Sequence, residues 1–107
     1  MADQVAGDRW ALTLYIDGAS PRSIQAIETV RYVCDEDFPG LADLEVIDVR
    51  RQPAMAVRDH ILAVPALLKR SPGPPCCILD GLCDSGRLRD RLALLGAPSV
   101  PRPVADR

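Results

Sequence analysis

Four cysteines and one histidine are the residues of this chain that could carry chemistry, as thiol nucleophiles, metal ligands or a redox pair. They are Cys34, Cys76, Cys77, Cys83 and His60. A thiol becomes a good nucleophile when its pKa is lowered, for example at the N-terminus of a helix. Structural zinc sites show paired ligands such as C-x-x-C. The positions of these five residues therefore decide among thiol exchange, metal binding and simple packing.

A metal site built from Cys77, Cys83 and His60 is one hypothesis, but the paired spacing of structural zinc ligands is missing. Cys76 and Cys77 would point to opposite faces of a strand, so they are poorly placed to bridge each other. Cys34 recurs at helical spacing with apolar residues and is expected in the core. We therefore expect no metal and no cofactor, and interpret the cysteines as reduced core and surface thiols.

The pair Asp59-His60 resembles half of a catalytic dyad, but the sequence places no nucleophile beside it. Ser20 and Ser71 have structural roles, as a helix cap and a turn residue. We interpret His60 as a solvated residue at the end of a helix, where the helix dipole favours positive charge. No catalytic residue is predicted.

The first elements that must position these residues are a strand at 12–16 and a helix. Ser20 is a good N-cap residue, and Pro21 suits the first helical position. The segment 35–40 ends the helix with a proline and a glycine. The predicted buried stripe of the helix contains Ile24, Ile27, Val30 and Cys34.

The middle of the chain predicts a strand, a short helix and another strand. The apolar run 44–49 suits a strand that is buried on both faces. Pro53 suits the first turn of the helix, in which Ala56, Val57 and Ile61 follow at helical spacing. Pro65 opens the next strand and removes one ladder donor, so it must lie at an edge or a strand start.

A Pro-rich turn at 71–75 separates this strand from a short one at 76–79. Asp84 is the N-cap candidate of a last helix that Gly96 ends. In this helix Leu88, Leu92 and Leu95 share one face, whereas the residues expected to face water are Arg87, Arg89, Asp90 and Arg91. The predicted order of elements is β-α-β-α-β-β-α.

One domain is expected for a chain of 107 residues. We divide it into a flexible lead (1–9), a domain (10–95) and a disordered Pro-rich tail (96–107), because both ends lack hydrophobic periodicity. The net charge of -2 favours neither nucleic acid nor an anionic membrane as a partner. The N-terminus has no apolar run and is unlike a secretory signal. A cytoplasmic protein is expected.

Four segments, in order and with family-like spacing, resemble the KaiB family, which contains the circadian clock protein KaiB and its bacterial relatives. They are 12–27, 44–49, Pro53 with 61–67, and 78–84, where the glycine and the aspartate are exchanged in order. The resemblance covers 10–95. It implies an α/β, thioredoxin-like fold in which the Val64-Pro65 peptide bond is cis. The family's fold-switched tetramer, with a different C-terminal half, is the alternative.

The resemblance also implies a bacterial interaction protein without catalysis. Thioredoxin-like oxidoreductases carry C-x-x-C where the first strand meets the first helix, and the segment 17–21 of this chain has no cysteine. The family's partners are the ring-forming ATPase KaiC, KaiA, and a histidine kinase with a KaiB-like sensor domain. A monomer, a dimer and a tetramer are all compatible with it. The alternatives are a thiol-based redox sensor or oxidoreductase, and a sensor module detached from a kinase.

Partner contacts are assigned to Gln25, Arg50, Arg51, His60 and Lys69. The charged pairs 50–51 and 69–70 are otherwise solvated faces. The family tends to carry basic residues at position 25 and after the Pro-rich turn, and a lysine at position 60, whereas Lys69 is retained. These departures suggest a divergent KaiC-type ATPase, or another partner, and a role in stress signalling or in a clock.

The last helix decides which of the family's two folds dominates. Clock members tend to carry a glycine and an acidic residue where this chain has Arg91 and Ala93. Both are strong helix formers, and replacing a glycine in a helix interior stabilises it by about 0.8–1 kcal/mol. We therefore predict that the chain rests in the thioredoxin-like form and needs no change of fold to bind.

Overall fold

A computed structural model describes residues 9–96 as a four-stranded sheet with three helices. The elements are β1 (Trp10–Ile16), α1 (Pro21–Asp37), β2 (Ala42–Asp48), α2 (Pro53–Arg58), β3 (Ala66–Ser71), β4 (Cys76–Ile78) and α3 (Ser85–Leu94). This order confirms the predicted β-α-β-α-β-β-α pattern. Most of the lead and the tail, residues 1–8 and 97–107, lies outside the described residues. Arg9 at the end of the lead pairs with Asp43.

The sheet has the strand order β2-β1-β3-β4, in which β1 and β2 are parallel and the other pairs are antiparallel. Its register pairs Ile16 with Asp48, Tyr15 with Ala66, and Leu67 with Ile78. The connections that follow β1, β2 and β4 therefore lie at the same end of the sheet as the segment that leads into β3. We call this the loop end, and it consists of 17–20, 49–52, 59–65 and 79–84.

The helix α1 begins as predicted, because Ser20 Oγ accepts the Ser23 N–H at 3.3 Å and Pro21 takes the first helical position. Val30 and Cys34 are buried in its stripe as expected. The assignment of Ile24 to this stripe is wrong, since its side chain is 45% exposed. The stripe runs instead through Ser23, Ala26, Val30, Val33 and Cys34, so Ile24 lies just beside it.

The prediction that the strand at 44–49 is buried on both faces holds only for its C-terminal half. β2 is an edge strand of the sheet. Leu44 and Val46 pack against the core on one face, and Ile47 is buried on the other. Asp43 and Glu45, which lie on the same face as Ile47, are exposed, so the first half of the strand is covered on one face only.

Two clusters of buried side chains cover opposite faces of the sheet. The larger joins β1 and β3 to α1 and α3 and contains Leu12, Leu14, Leu67, Leu88 and Leu92 among others. The smaller contains Tyr15, Ile47, Ala56 and Ala66, with Ile61 packed against it. Val57, predicted to share the stripe of Ala56, is exposed. Successive side chains of a helix are turned by about 100°, so in α2 only Ala56 faces the cluster and Val57 points away from it.

Pro65 lies immediately before β3, and the Val64-Pro65 bond is cis, which confirms the expectation from the resemblance. The Ser71-Pro72 bond is also cis, which the sequence did not predict. Pro53 starts α2 as expected.

The last helix, α3, also begins as predicted. Asp84 Oδ1 accepts the N–H groups of Gly86 and Arg87 at 2.9 and 3.2 Å. The prediction that Arg89 faces water is wrong. Its Nε donates to Asp37 Oδ2 at 2.9 Å, and its guanidinium lies 5.3 Å from the centre of the Tyr32 ring. This contact joins α3 to α1. The apolar stem of Arg89 is packed, and its guanidinium remains paired with Asp37.

Candidate functional site

Two segments of the loop end are tied together through an aspartate at the end of β2. Asp48 Oδ1 accepts the N–H groups of Gly18 and Arg50 at 3.0 and 2.9 Å. Arg50 Nε in turn donates to Asp17 Oδ1 at 2.6 Å. Because its carboxylate accepts the backbone N–H of Arg50, the pKa of Asp48 is lowered. The arrangement holds the Arg50 side chain at the surface, where most of it remains exposed.

The turn between β1 and α1 is where a thioredoxin-like enzyme would carry its thiols. Here Ser23 Oγ accepts the Asp17 N–H at 3.0 Å, and Ser20 caps the helix. The nearby Cys83 thiol points to the carbonyl oxygen of Arg22 at 3.5 Å. The turn therefore offers polar cap groups in place of a dithiol.

Cys34 and Cys77 have environments that do not favour thiolates. Cys34 is buried, and burial, followed by the charges of Asp35 and Asp37, raises the pKa of its thiol to about 11. Burial also raises the pKa of Cys77, although its side chain is exposed in part to solvent. Across residues 9–96 no group of three His, Cys, Asp or Glu side chains could hold a metal ion. No helix within the same range is long and apolar enough to cross a membrane.

The Asp59 carboxylate is hydrogen-bonded beneath the surface of the loop end. Its carboxylate accepts hydrogen bonds from the Tyr15 hydroxyl and from Arg70 Nη2, the latter at 2.7 Å. The hydrogen bond from Arg70 is the main reason why the pKa of Asp59 is lowered. His60 is exposed and follows the last residue of α2 by two positions, with a φ of 59°. Asp59 therefore serves the fold, and a catalytic pair with His60 is not formed.

The loop between α2 and β3 presents an apolar side chain to solvent. Leu62 is 95% exposed, although its neighbours Ile61 and Val64 pack against the smaller cluster. In the sequence, 61–67 is one family-like apolar run, which gives no sign that Leu62 would lie outside the packed cluster.

The predicted partner residues divide into two groups. Gln25, Arg50, Arg51 and His60 are exposed, and all lie at the loop end or one helical turn from it. Lys69 is 4% exposed, so its assignment to a solvated face is wrong. Its Nζ donates to the carbonyl oxygens of Pro72 and Pro74 and lies 5.5 Å from the centre of the Trp10 ring. The turn that follows β3 wraps around this ammonium group.

This architecture defines a class of protein, the thioredoxin-like fold, with a cap where the redox members have cysteines. Solved structures agree with the assignment. A thioredoxin from Halobacterium salinarum superposes with a TM-score of 0.68 at 22% identity, covering 94% of this chain and 86% of that one. The N-terminal domain of SasA from Synechococcus elongatus gives 0.67 at 24% identity, covering 88% and 90%.

Comparison of sequences identifies the family within this class. The KaiB domain model matches residues 13–87. The circadian clock oscillator protein KaiB of Microcystis aeruginosa is 38% identical over 86 residues, covering 80% of this chain and 83% of the relative. That of a Synechococcus strain is 41% identical over 86 residues, covering 80% and 78%. The chain belongs to the KaiB family.

Proposed function

We propose that this protein is a non-catalytic interaction module whose loop end binds a KaiC-type ATPase, or a related signalling partner, in clock or stress regulation. The observation that carries the proposal is the exposure of Leu62, at 95%, on the surface that also carries Arg50, Arg51 and His60. An exposed apolar side chain at the same end of the sheet as several charged residues fits the apolar centre and polar rim that protein interfaces show.

The loop end is suited to binding because hydrogen bonds of Asp48 and Asp59 fix two of its segments. Asp48 fixes the segment 49–52 against the β1–α1 turn, and Asp59 with Arg70 fixes the start of the loop 59–65. A surface that is ordered before it meets its partner loses less conformational entropy on binding. Rigid support beneath Leu62 therefore favours a specific interface.

The absence of redox catalysis is supported by the chemistry of the cysteines. The β1–α1 turn carries no thiol, and the raised pKa values of Cys34 and Cys77 reduce their thiolate fraction at neutral pH. A redox sensor or an oxidoreductase would need the opposite shift. We therefore favour binding over thiol exchange.

The choice of partner follows from the family and from the charges of the loop end. Relatives that are about 40% identical are named as circadian clock oscillator proteins. Gln25 and His60 stand where the resemblance implies basic residues, so a KaiC-type ATPase with a less acidic docking surface fits this chain. Arg50 and Arg51 keep part of the positive charge. A histidine kinase with a KaiB-like sensor domain is the related alternative, and the location proposed is the cytoplasm.

A matched pair of leucine variants tests the proposal. The dissociation constant of the purified KaiC homologue from the same host is measured by isothermal titration calorimetry. Leu62→Asp should weaken binding about 30-fold or more, the factor that corresponds to a hot-spot loss of about 2 kcal/mol. Leu94→Asp alters a leucine that is 78% exposed on α3, outside the loop end, and should leave affinity within about threefold. Equal affinities for the two variants would refute the loop end as the site, and no binding of the unmodified chain would refute this partner.

A further inference from the structure

The helix α2 ends in a Schellman motif, in which two backbone hydrogen bonds close the last turn of a helix. The Ile61 N–H donates to the carbonyl oxygen of Ala56 at 2.9 Å, and the His60 N–H donates to that of Val57 at 3.1 Å. The motif needs a left-handed residue after the cap, and His60 has a φ of 59°. Ile61 packs against the smaller cluster, which contains Ala56. The motif therefore sets the direction in which the chain leaves α2 toward Leu62.

Histidine at this position strains the backbone. A Cβ atom crowds the chain in the left-handed region, whereas glycine adopts that region without this cost. The helix α3 also ends in a left-handed residue after its cap, and there the residue is Gly96, with a φ of 96°. Among residues 9–96, His60 is the only residue other than glycine with a positive φ. The glycines that share this property are Gly18, Gly40, Gly73, Gly81 and Gly96.

Within the described part of the chain, the imidazole makes no contact that offsets this strain. His60 is exposed, and across residues 9–96 its side chain forms no hydrogen bond or ion pair. By contrast, the neighbouring Asp59 is held by Tyr15 and Arg70. Backbone strain of this kind clusters at functional sites, where the side chain serves a ligand or a partner. The strained residue of this chain lies at the loop end.

We propose that His60 is a specificity-determining residue of the loop end, and that its imidazole contacts the partner beside Leu62. The inference rests on the proposed function, in which the loop end is the binding surface. The two residues are two positions apart, and Leu62 is 95% exposed. An imidazole can donate and accept hydrogen bonds, so it suits a polar group of the partner at the rim of an apolar contact. At this residue the chain loses stability and gains affinity.

Two substitutions separate the imidazole from the backbone strain. His60→Gly removes both, whereas His60→Ala removes the imidazole but keeps a Cβ atom in the left-handed region. In urea unfolding, His60→Gly should raise the folding equilibrium constant about two- to fivefold, and His60→Ala should not raise it. In isothermal titration calorimetry with the KaiC homologue, both variants should bind about fivefold or more weakly, the factor that corresponds to about 1 kcal/mol. A purely structural role would not make a more stable variant bind less tightly.

Two further variants serve as controls. His60→Asn keeps a hydrogen-bonding side chain of a type that tolerates the left-handed region, so its affinity should lie between those of His60→Ala and the unmodified chain. Gly96→His introduces the same kind of strain at the end of α3, where an added Cβ would meet no other group within 4 Å. It should leave affinity within about threefold, because α3 lies outside the loop end.

The outcomes separate this inference from the proposed function. Unchanged affinity in His60→Gly and His60→Ala, together with a loss in Leu62→Asp, would overturn the inference and leave the proposed function in place. Weaker binding of His60→Gly alone would also overturn it, because the flexibility of the loop would then be the cause. A His60→Gly chain that is no more stable than the unmodified one would contradict the strain. Failure of the unmodified chain to bind would refute the proposed function and, with it, this inference.

Discussion

Arg70 on β3 and Asp59 after α2 form an ion pair with 2.7 Å between Arg70 Nη2 and Asp59 Oδ2. Arg70 Nε also donates to Thr13 Oγ1 at 2.8 Å, and the buried Tyr15 donates its hydroxyl to Asp59. The side chains of Asp59 and Arg70 are 12% and 33% exposed, so solvent weakens the pair only in part. The network joins β1 and β3 to the beginning of the loop that carries Leu62.

Replacing this carboxylate should lower stability. We expect Asp59→Asn to reduce the free energy of unfolding by about 1–3 kcal/mol, since a partly buried guanidinium and a buried hydroxyl lose a charged acceptor. Urea unfolding followed by circular dichroism measures the change. Asp43→Asn is the control, because Asp43 pairs with Arg9 in an exposed position, and it should change stability little. Equal losses for the two variants would contradict the assigned role of Asp59.

The same carboxylate predicts a pH dependence. The pKa of Asp59 is lowered in the folded protein, so its contribution to stability is present above the unfolded value of about 3.9. The contribution is lost as the pH falls through the lower folded value. The difference in unfolding free energy between the unmodified chain and Asp59→Asn should therefore be largest near neutral pH and shrink below about pH 4. A difference that grows on acidification would have the wrong sign.

Lys69 should act on stability and not on partner binding. Lys69→Met keeps the apolar stem but removes the donor to the carbonyl oxygens of Pro72 and Pro74. We expect the unfolding free energy to fall by about 1–2 kcal/mol, with unchanged affinity for the KaiC homologue. Arg51→Met, at an exposed position of the loop end, should show the reverse pattern. Loss of affinity without loss of stability in Lys69→Met would contradict this and show that Lys69 contributes to partner binding.

The thiols should differ in reactivity and should not catalyse disulfide exchange. Burial raises the pKa of Cys34 to about 11, so its thiol should stay unmodified by a disulfide reagent at neutral pH until the protein unfolds. Cys77 is exposed and should react well before Cys34. In an insulin-reduction assay the chain should give the same rate as a Cys77→Ser variant, close to background. A rate near that of a thioredoxin would contradict the absence of catalysis.

The resting fold can be tested at α3. Carbon-13 secondary shifts should be helical across α3 in solution, because Asp84 caps the helix and Arg91 is a strong helix former. Arg91→Gly should lower helix stability by about 0.8–1 kcal/mol. Arg91→Ala removes the same contact with Asp80 but retains helix propensity, and serves as the control. Strand-like shifts between residues 87 and 92 of the unmodified chain would show that the other family fold dominates.

Local chemistry made much of this fold predictable. Ser20 and Asp84 act as caps through their own side chains, and Pro53 starts a helix for reasons that lie within one turn of the chain. Pro65 was placed correctly because the family resemblance supplied its position. These features need no knowledge of distant contacts.

Long-range packing decides the features that the sequence pattern does not predict. Lys69 looks like a surface charge, but the Pro-rich turn and Trp10 enclose it. Arg89 looks solvated until α3 packs beside Asp37 of α1. The edge position of β2 follows from sheet order, which a run of apolar residues does not encode. The exposure of Leu62 in the candidate site is not predictable from the sequence for the same reason, because it depends on how the neighbouring residues are anchored.

Amide hydrogen exchange of the full-length chain, measured with and without a saturating concentration of the host's KaiC homologue, tests the central claim most directly. We predict that the partner slows exchange at 17–20 and 49–65, the segments that surround Leu62. Exchange across α3 should remain slow and unchanged, because we propose that the chain binds in the fold described. Protection confined to β4 and α3, or faster exchange in α3 on binding, would contradict both the site and the fold in which it acts.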